Sequence, residues 1–281
     1  MEELYVQTAS FSRELRADFQ GSLEKIASYG YTGLELFDKI YGGLSAGELR
    51  RYLQSLGLSV IGAHVYNDGM EEADMAYLAE LSCPYLVCPG LQINSAEEAH
   101  RAAELLNRLG RQWKQYGVKY GYHNHTSDYS LYGGQRVIDI LIAGTDPDLV
   151  FFELDAGWSW RNGVNAAEFV KSHPGRFELI HLKETSRVLT PEDDMSLLFK
   201  KYNIQRGEDG YPIIPPEAKE EFEERRRINC RMGDGIIRIP ELREAADAQG
   251  AKAYIVEREY AYTGDIFTSL EEDCLFLKKR L

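Results

Sequence analysis

Four side chains able to hold a metal ion stand at the ends of short strand-like runs in the second half of the chain. Asp128 follows GYHNH, Asp155 ends FFELD, His181 lies in LIHLK and Glu257 ends YIVE. Three carboxylates and one imidazole suit one divalent ion of the Mn, Mg or Co type, with Zn also acceptable, better than a thiolate-loving ion. Each residue also has an ordinary structural reading. Asp155 could cap a helix or form a salt bridge, Asp128 could stabilise a turn, and His181 could be a hydrogen-bonded core residue. All four recur at matching strand ends, which favours a shared ion over four separate structural roles.

More polar groups share those ends. His123 and His125 lie on one face of their strand, with Asn124 on the other. Either histidine could be a ligand, a base or a substrate contact, and His125 is the substitute ligand if Asp128 serves a turn. Lys183 has the parity of His181 and could set an ammonium beside substrate oxygens. Glu153 has the parity of Asp155 and could accept a hydrogen bond behind it. His64 and Glu35 end or lie in earlier strands and are expected to face the same mouth as substrate contacts, as is Glu184. Trp158 and Trp160 follow the Asp155 turn and could stack on a sugar ring or simply pack.

Residues so far apart can share one ion only if the fold gathers them. Runs rich in β-formers alternate with amphipathic stretches: LYVQT, GLELF, LSVIGAH, PYLVC, VKYGYHNH, LVFFELD, FELIHLKE and AYIVE. Ser45 and Ser95 are expected N-caps, with Glu98 placed for a capping box, and GGQRVIDILIAG is expected to be helical. Eight such units in 281 residues predict one α/β domain, a (β/α)8 TIM barrel over 1–281, whose active face lies at the carboxyl ends of its strands. No GxGxxG follows the first strand, so a dinucleotide fold has no support. Thr185 to Lys252 is longer than one helix and its loops require. The surplus, 190–230, is an insertion between strands 7 and 8, expected to be either a lid or a partner-docking element.

Composition limits the partners. The formal net charge is −13, which disfavours nucleic acid and anionic membranes. No apolar run approaches the roughly 20 residues of a membrane span, and the acidic start MEELYVQTAS carries no signal-like pattern, so a cytoplasmic location is the expectation. The four cysteines are scattered, so buried thiols are expected rather than a disulfide frame. A small sugar is the expected ligand, and a homo-oligomer stays open.

GYHNHTSDY, FELDAGW, LIHLKE, GDGIIRIPEL and YIVERE together resemble the xylose isomerase-like barrel superfamily of sugar phosphate isomerases and epimerases. The resemblance implies a (β/α)8 barrel with one divalent ion on Asp128, Asp155, His181 and Glu257. It makes Lys183, His64, His123 and His125 substrate contacts or acid/base groups. The implied activity is isomerisation or epimerisation of a ketose or keto-sugar through an enediolate, with Glu257 and a strand-five group (His125 or Asp128) as the proton-transfer pair. The alternative is a metal-dependent lyase or dehydratase on an oxidised sugar, of the inosose dehydratase or keto-glycoside-cleaving kind. A third reading is a sugar-binding barrel without turnover. The nuclease branch is disfavoured, because it uses more histidines and basic DNA-contacting loops.

Overall fold

The computed structural model describes residues 3–66, 72–207, 211–262 and 264–280. Eight parallel strands close into a barrel: β1 Leu4–Gln7, β2 Gly33–Phe37, β3 Ser59–His64, β4 Tyr85–Cys88, β5 Lys119–His123, β6 Val150–Asp155, β7 Phe177–Leu182 and β8 Ala253–Val256. Each pairs with its neighbours in chain order, and β8 closes onto β1. The expected (β/α)8 architecture is therefore present.

Strand alternation divides the side chains between two compartments. Leu4, Val6, Leu34, Leu86, Tyr120, Phe152, Leu154, Ile180 and Val256 join the large core under the helices. The alternate residues Tyr5, Tyr85, Val87, Phe151, Leu179, Ala253 and Ile255 form a separate apolar plug in the lumen. One step further along the same faces come Gln7, Glu35, His123, Glu153 and His181, all buried. Two register shifts keep the polar residues level. One skips Ile61 and sets Glu35 beside Gly62, and the other skips Glu178 and sets Glu153 beside Leu179. A Cβ on Gly62 would lie 3.1 Å from Glu35 Oε1, so this glycine leaves room for the carboxylate.

Local signals in the sequence mostly act as expected. Ser95 accepts from Glu98 N and starts the helix Ala96–Lys114. The full capping box forms instead at Ser45 and Glu48, because Glu98 Oε2 takes the backbone N–H of Asn94 at 2.7 Å. The stretch beginning Gly133 departs from the helical expectation. Leu131–Tyr132 and Gln135–Arg136 make a hairpin, and the helix starts only at Val137. Gly133 (φ 61°) and Gly134 (φ 84°) are both left-handed, which a tight hairpin turn demands and a helix excludes.

Between β7 and β8 the segment 190–230 carries helices Met195–Lys201 and Lys219–Arg226. It has its own apolar cluster of Leu198, Ile204, Ala218 and Phe222, with Tyr260 from the β8 loop packed against it. Its two ends are tied together: Ser186 N donates to Ile228 O and Ile236 N to Thr185 O.

The plug sets the floor of the polar layer. Leu179→Ala is expected to destabilise the protein by about 2–5 kcal/mol, read by denaturant unfolding. A loss below about 1 kcal/mol would mean that the lumen is not packed as described.

Candidate metal centre

The polar layer is a continuous network. Glu153 Oε2 lies 2.7 Å from His64 Nε2, 2.9 Å from His123 Nδ1 and 3.2 Å from His181 Nε2. Glu35 Oε2 accepts from Gln7 Nε2 at 2.8 Å and lies 2.8 Å from His181 Nε2. These contacts leave one nitrogen on each of two rings turned toward the mouth. His123 Nε2 is 3.8 Å from Asp155 Oδ2, and His181 Nδ1 is 3.1 Å from Glu257 Oε2. A carboxylate behind each imidazole fixes which nitrogen faces forward, as is usual where histidine binds metal.

His123, Asp155, His181 and Glu257 each offer one ligand atom, all within 4.8 Å of one another. A second group, His64, His123, Glu153 and His181, meets the same limit. The first fits an ion better. Asp155 Oδ1 accepts from Trp158 N, but its buried Oδ2 has no hydrogen-bond partner, although Lys183 Nζ is 3.3 Å away. Glu257 is the member with access, its side chain 13% exposed, whereas the second group is closed in on every side. An unsatisfied buried carboxylate oxygen is costly, and a cation beside it removes that cost.

The electrostatics follow from burial set against charge. Burial alone would lower the His64 pKa, but Glu35 and Glu153 overcome it and raise it to about 9. His181 is likewise driven up against its burial by the same two carboxylates. Burial dominates at His123 and at His125, and the latter is held well below its usual range and so is neutral. Burial raises Asp155, and Lys183 offsets only part of this. Glu257 is held low in spite of burial by Lys183, whose Nζ lies 2.9 Å from its Oε1.

Other expected site residues are placed elsewhere. Asp128 is buried, but Oδ1 accepts from Tyr122 Oη at 2.8 Å and Oδ2 from His125 N at 2.7 Å. It caps the turn Thr126–Tyr129 and stands outside both metal-capable groups, while His123 occupies the β5 position beside Asp155. Glu184 does not face the mouth. Its oxygens accept from the backbone N–H groups of Thr185, Gly233 and Ile237, and so pin the loop that returns from the insertion. A Cβ on Gly235 would sit 2.3 Å from Glu184 Oε1, so this loop needs glycine. Glu35 and His64 lie inside the layer, 0% and 7% exposed, rather than at its open rim. Trp158 borders the mouth, with Lys183 Nζ 4.5 Å and the His125 ring 5.8 Å from its own ring centre. Two residues outside the expected set join the site: Gln7, whose parity with Tyr5 at the end of β1 is its one signal in the sequence, and Arg161, which pairs with Glu259 at 2.8 Å and has no such signal.

Two variants separate Asp128 from the ion. Asp128→Asn is expected to keep bound metal, and His123→Ala to weaken metal affinity at least as much as the 10–100-fold cost of losing an outer partner, both read by elemental analysis after dialysis. The opposite pattern would return Asp128 to the ligand set. Burial raises the Asp128 pKa from 3.8 to about 6. A folded-state pKa above the unfolded one gives stability that is present below pH 3.8 and is lost as pH rises through 6. Asp128→Asn should therefore gain stability relative to the wild type across that window, on the order of 2–3 kcal/mol, as seen in paired thermal melts. A pH-independent difference would contradict this.

Residues 23–280 match the sequence profile of the xylose isomerase-like TIM barrel. An inosose dehydratase from Clostridium perfringens is 29% identical over 160 residues, 57% of this chain and 50% of the relative. The chain thus spans about half the length of that curated relative. A solved sugar phosphate isomerase/epimerase from Parabacteroides distasonis superposes with a TM-score of 0.76 at 22% identity, covering 99% of this chain and 93% of its own. The structure described as IOLI protein with a binding zinc atom gives 0.66 at 17%, covering 99% and 96%. At these identities the two structures speak for the fold. The match over nearly the whole sequence, on a closed eight-stranded barrel, places this chain in the xylose isomerase-like TIM barrel family.

Proposed function

We propose that the protein is a metal-dependent carbon–oxygen lyase, a dehydratase acting on a keto-polyol or keto-sugar. The observation that carries this reading is the His125 imidazole and the Lys183 ammonium bordering the same Trp158 ring beside four convergent ligand atoms. The inosose dehydratase relatives support the same reaction class.

His123, Asp155, His181 and Glu257 would hold the ion. Two imidazoles and two carboxylates suit Zn, Mn or Co better than Mg, which prefers an all-oxygen set. The zinc in the IOLI structure agrees with that choice. When bound, the ion acts as a Lewis acid toward a carbonyl oxygen and acidifies the neighbouring C–H. The His125 imidazole takes that proton. Lys183 Nζ, fixed by Glu257 and Asp155, balances the negative charge that develops on the substrate oxygen. The electron pair of the broken C–H bond becomes a C=C bond. The neighbouring C–O bond breaks, and its hydroxyl leaves as water with the proton that His125 received.

Epimerisation needs a second proton-active group across the substrate. Glu257 is the carboxylate at the rim, but it would be committed to the ion, and Lys183 Nζ lies 2.9 Å from its Oε1. Elimination needs only one base, which favours the lyase reading over the isomerase.

Incubation of the Zn- or Mn-loaded protein with a keto-inositol in D2O tests this. The expected product has lost one water by mass spectrometry, and His125→Ala should lower kcat by about 10²–10⁴-fold. A deuterated isomer of the substrate, formed without water loss, would point to epimerisation instead.

A further inference from the structure

A cavity of about 690 Å³ lies beyond the carboxyl ends of the strands, between the insertion and the Trp158 turn. Cavities of this size take ligands larger than one sugar ring. Trp158 is a wall shared with the metal centre, and Thr126, next to His125, also lines the cavity. A ligand seated there would be continuous with a substrate below.

The lining indicates what that ligand is. Met195, Phe199 and Ile228 from the insertion and Tyr260 from the β8 loop give an apolar and aromatic wall. Val188 at its edge is 45% exposed although apolar. Arg161, Arg206 and Arg225 are matched by Asp193, Asp194 and Glu259, so the cavity carries no surplus positive charge for a phosphate. Arg161 is only 4% exposed, and its terminal nitrogens are fixed by Glu259 at 2.8 Å and Asn229 at 2.7 Å, so its charge is held within the wall.

We propose that this cavity is a second subsite for a planar aryl or heteroaryl substituent carried by the sugar-type substrate. The substrate is then an aryl-substituted keto-sugar rather than a bare keto-polyol. This rests on the reading of the metal centre as a keto-sugar site and adds the part of the substrate that the insertion recognises.

Titration calorimetry with 4-nitrophenyl β-D-glucopyranoside and methyl β-D-glucopyranoside tests it on the metal-loaded protein. The aryl glycoside is expected to bind about tenfold more tightly, the scale of one good aromatic contact plus its buried area. Phe199→Ala should reduce that preference. Val188→Trp, which fills the cavity from a solvent-facing position without opening the insertion's core, should abolish it and leave the methyl glycoside unaffected. Equal affinities, no binding of the aryl glycoside, or a preference that survives Val188→Trp would overturn the proposal. Water loss from an unsubstituted keto-inositol reads the metal centre alone. Turnover there with equal affinities here removes only the subsite, and an aryl preference without turnover removes only the lyase reading.

Discussion

The structure is governed by the need to compensate carboxylates buried in a barrel lumen. Glu35, Glu153 and Asp155 are fully buried and Glu257 nearly so, while Lys183 is the one lysine or arginine among the lumen groups described above. Without further positive charge such a layer would be untenable. His64 and His181 answer part of the demand, since their neighbouring carboxylates favour the protonated rings. A divalent ion answers it more directly, and it would do so where Asp155 Oδ2 has the Lys183 charge nearby but no hydrogen bond. Metal binding and the integrity of the layer are in this sense one problem, because ligands must shed protons to take the ion.

Backbone geometry supplies the layer at little cost in local sequence. A period-two strand that presents Phe151 or Leu179 to the plug presents Glu153 or His181 one step later. The two register shifts then bring strands of different phase to a common level. Glu153 and Glu35 orient the rings from behind, and Lys183 and Glu257 form the rim. Gly157 belongs to the same design: a Cβ there would lie 2.4 Å from the Lys183 carbonyl, so the turn after Asp155 must stay small for Lys183 to stand beside it.

The barrel and most of the centre were legible from sequence, because strand parity and strand ends are local properties. Asp155, His181, Lys183 and Glu257 converge for that reason. Asp128 was not legible. It follows β5 by only a few residues, and whether its carboxylate turns inward or caps the Thr126–Tyr129 turn depends on the direction the chain takes after His125. His123 could from sequence be a ligand, a base or a substrate contact, and Glu153 behind it leaves its free nitrogen facing Asp155. Glu184 alternates with Lys183 and so faces outward, where the adjacent Thr185 supplies one N–H group and the returning loop, through Gly233 and Ile237, two more that no local pattern foretells. The hairpin at Gly133–Gly134 was masked by the helical periodicity of VIDILIAG just after it.

The central claim is that one divalent ion is shared by His123, Asp155, His181 and Glu257. Anomalous diffraction from metal-loaded crystals, collected above and below the absorption edge of the added metal, locates that ion directly. The account predicts a single peak in contact with these four side chains and remote from Asp128. A peak among His64, Glu153 and Glu35, a peak on Asp128, or no ordered ion in the lumen would contradict it.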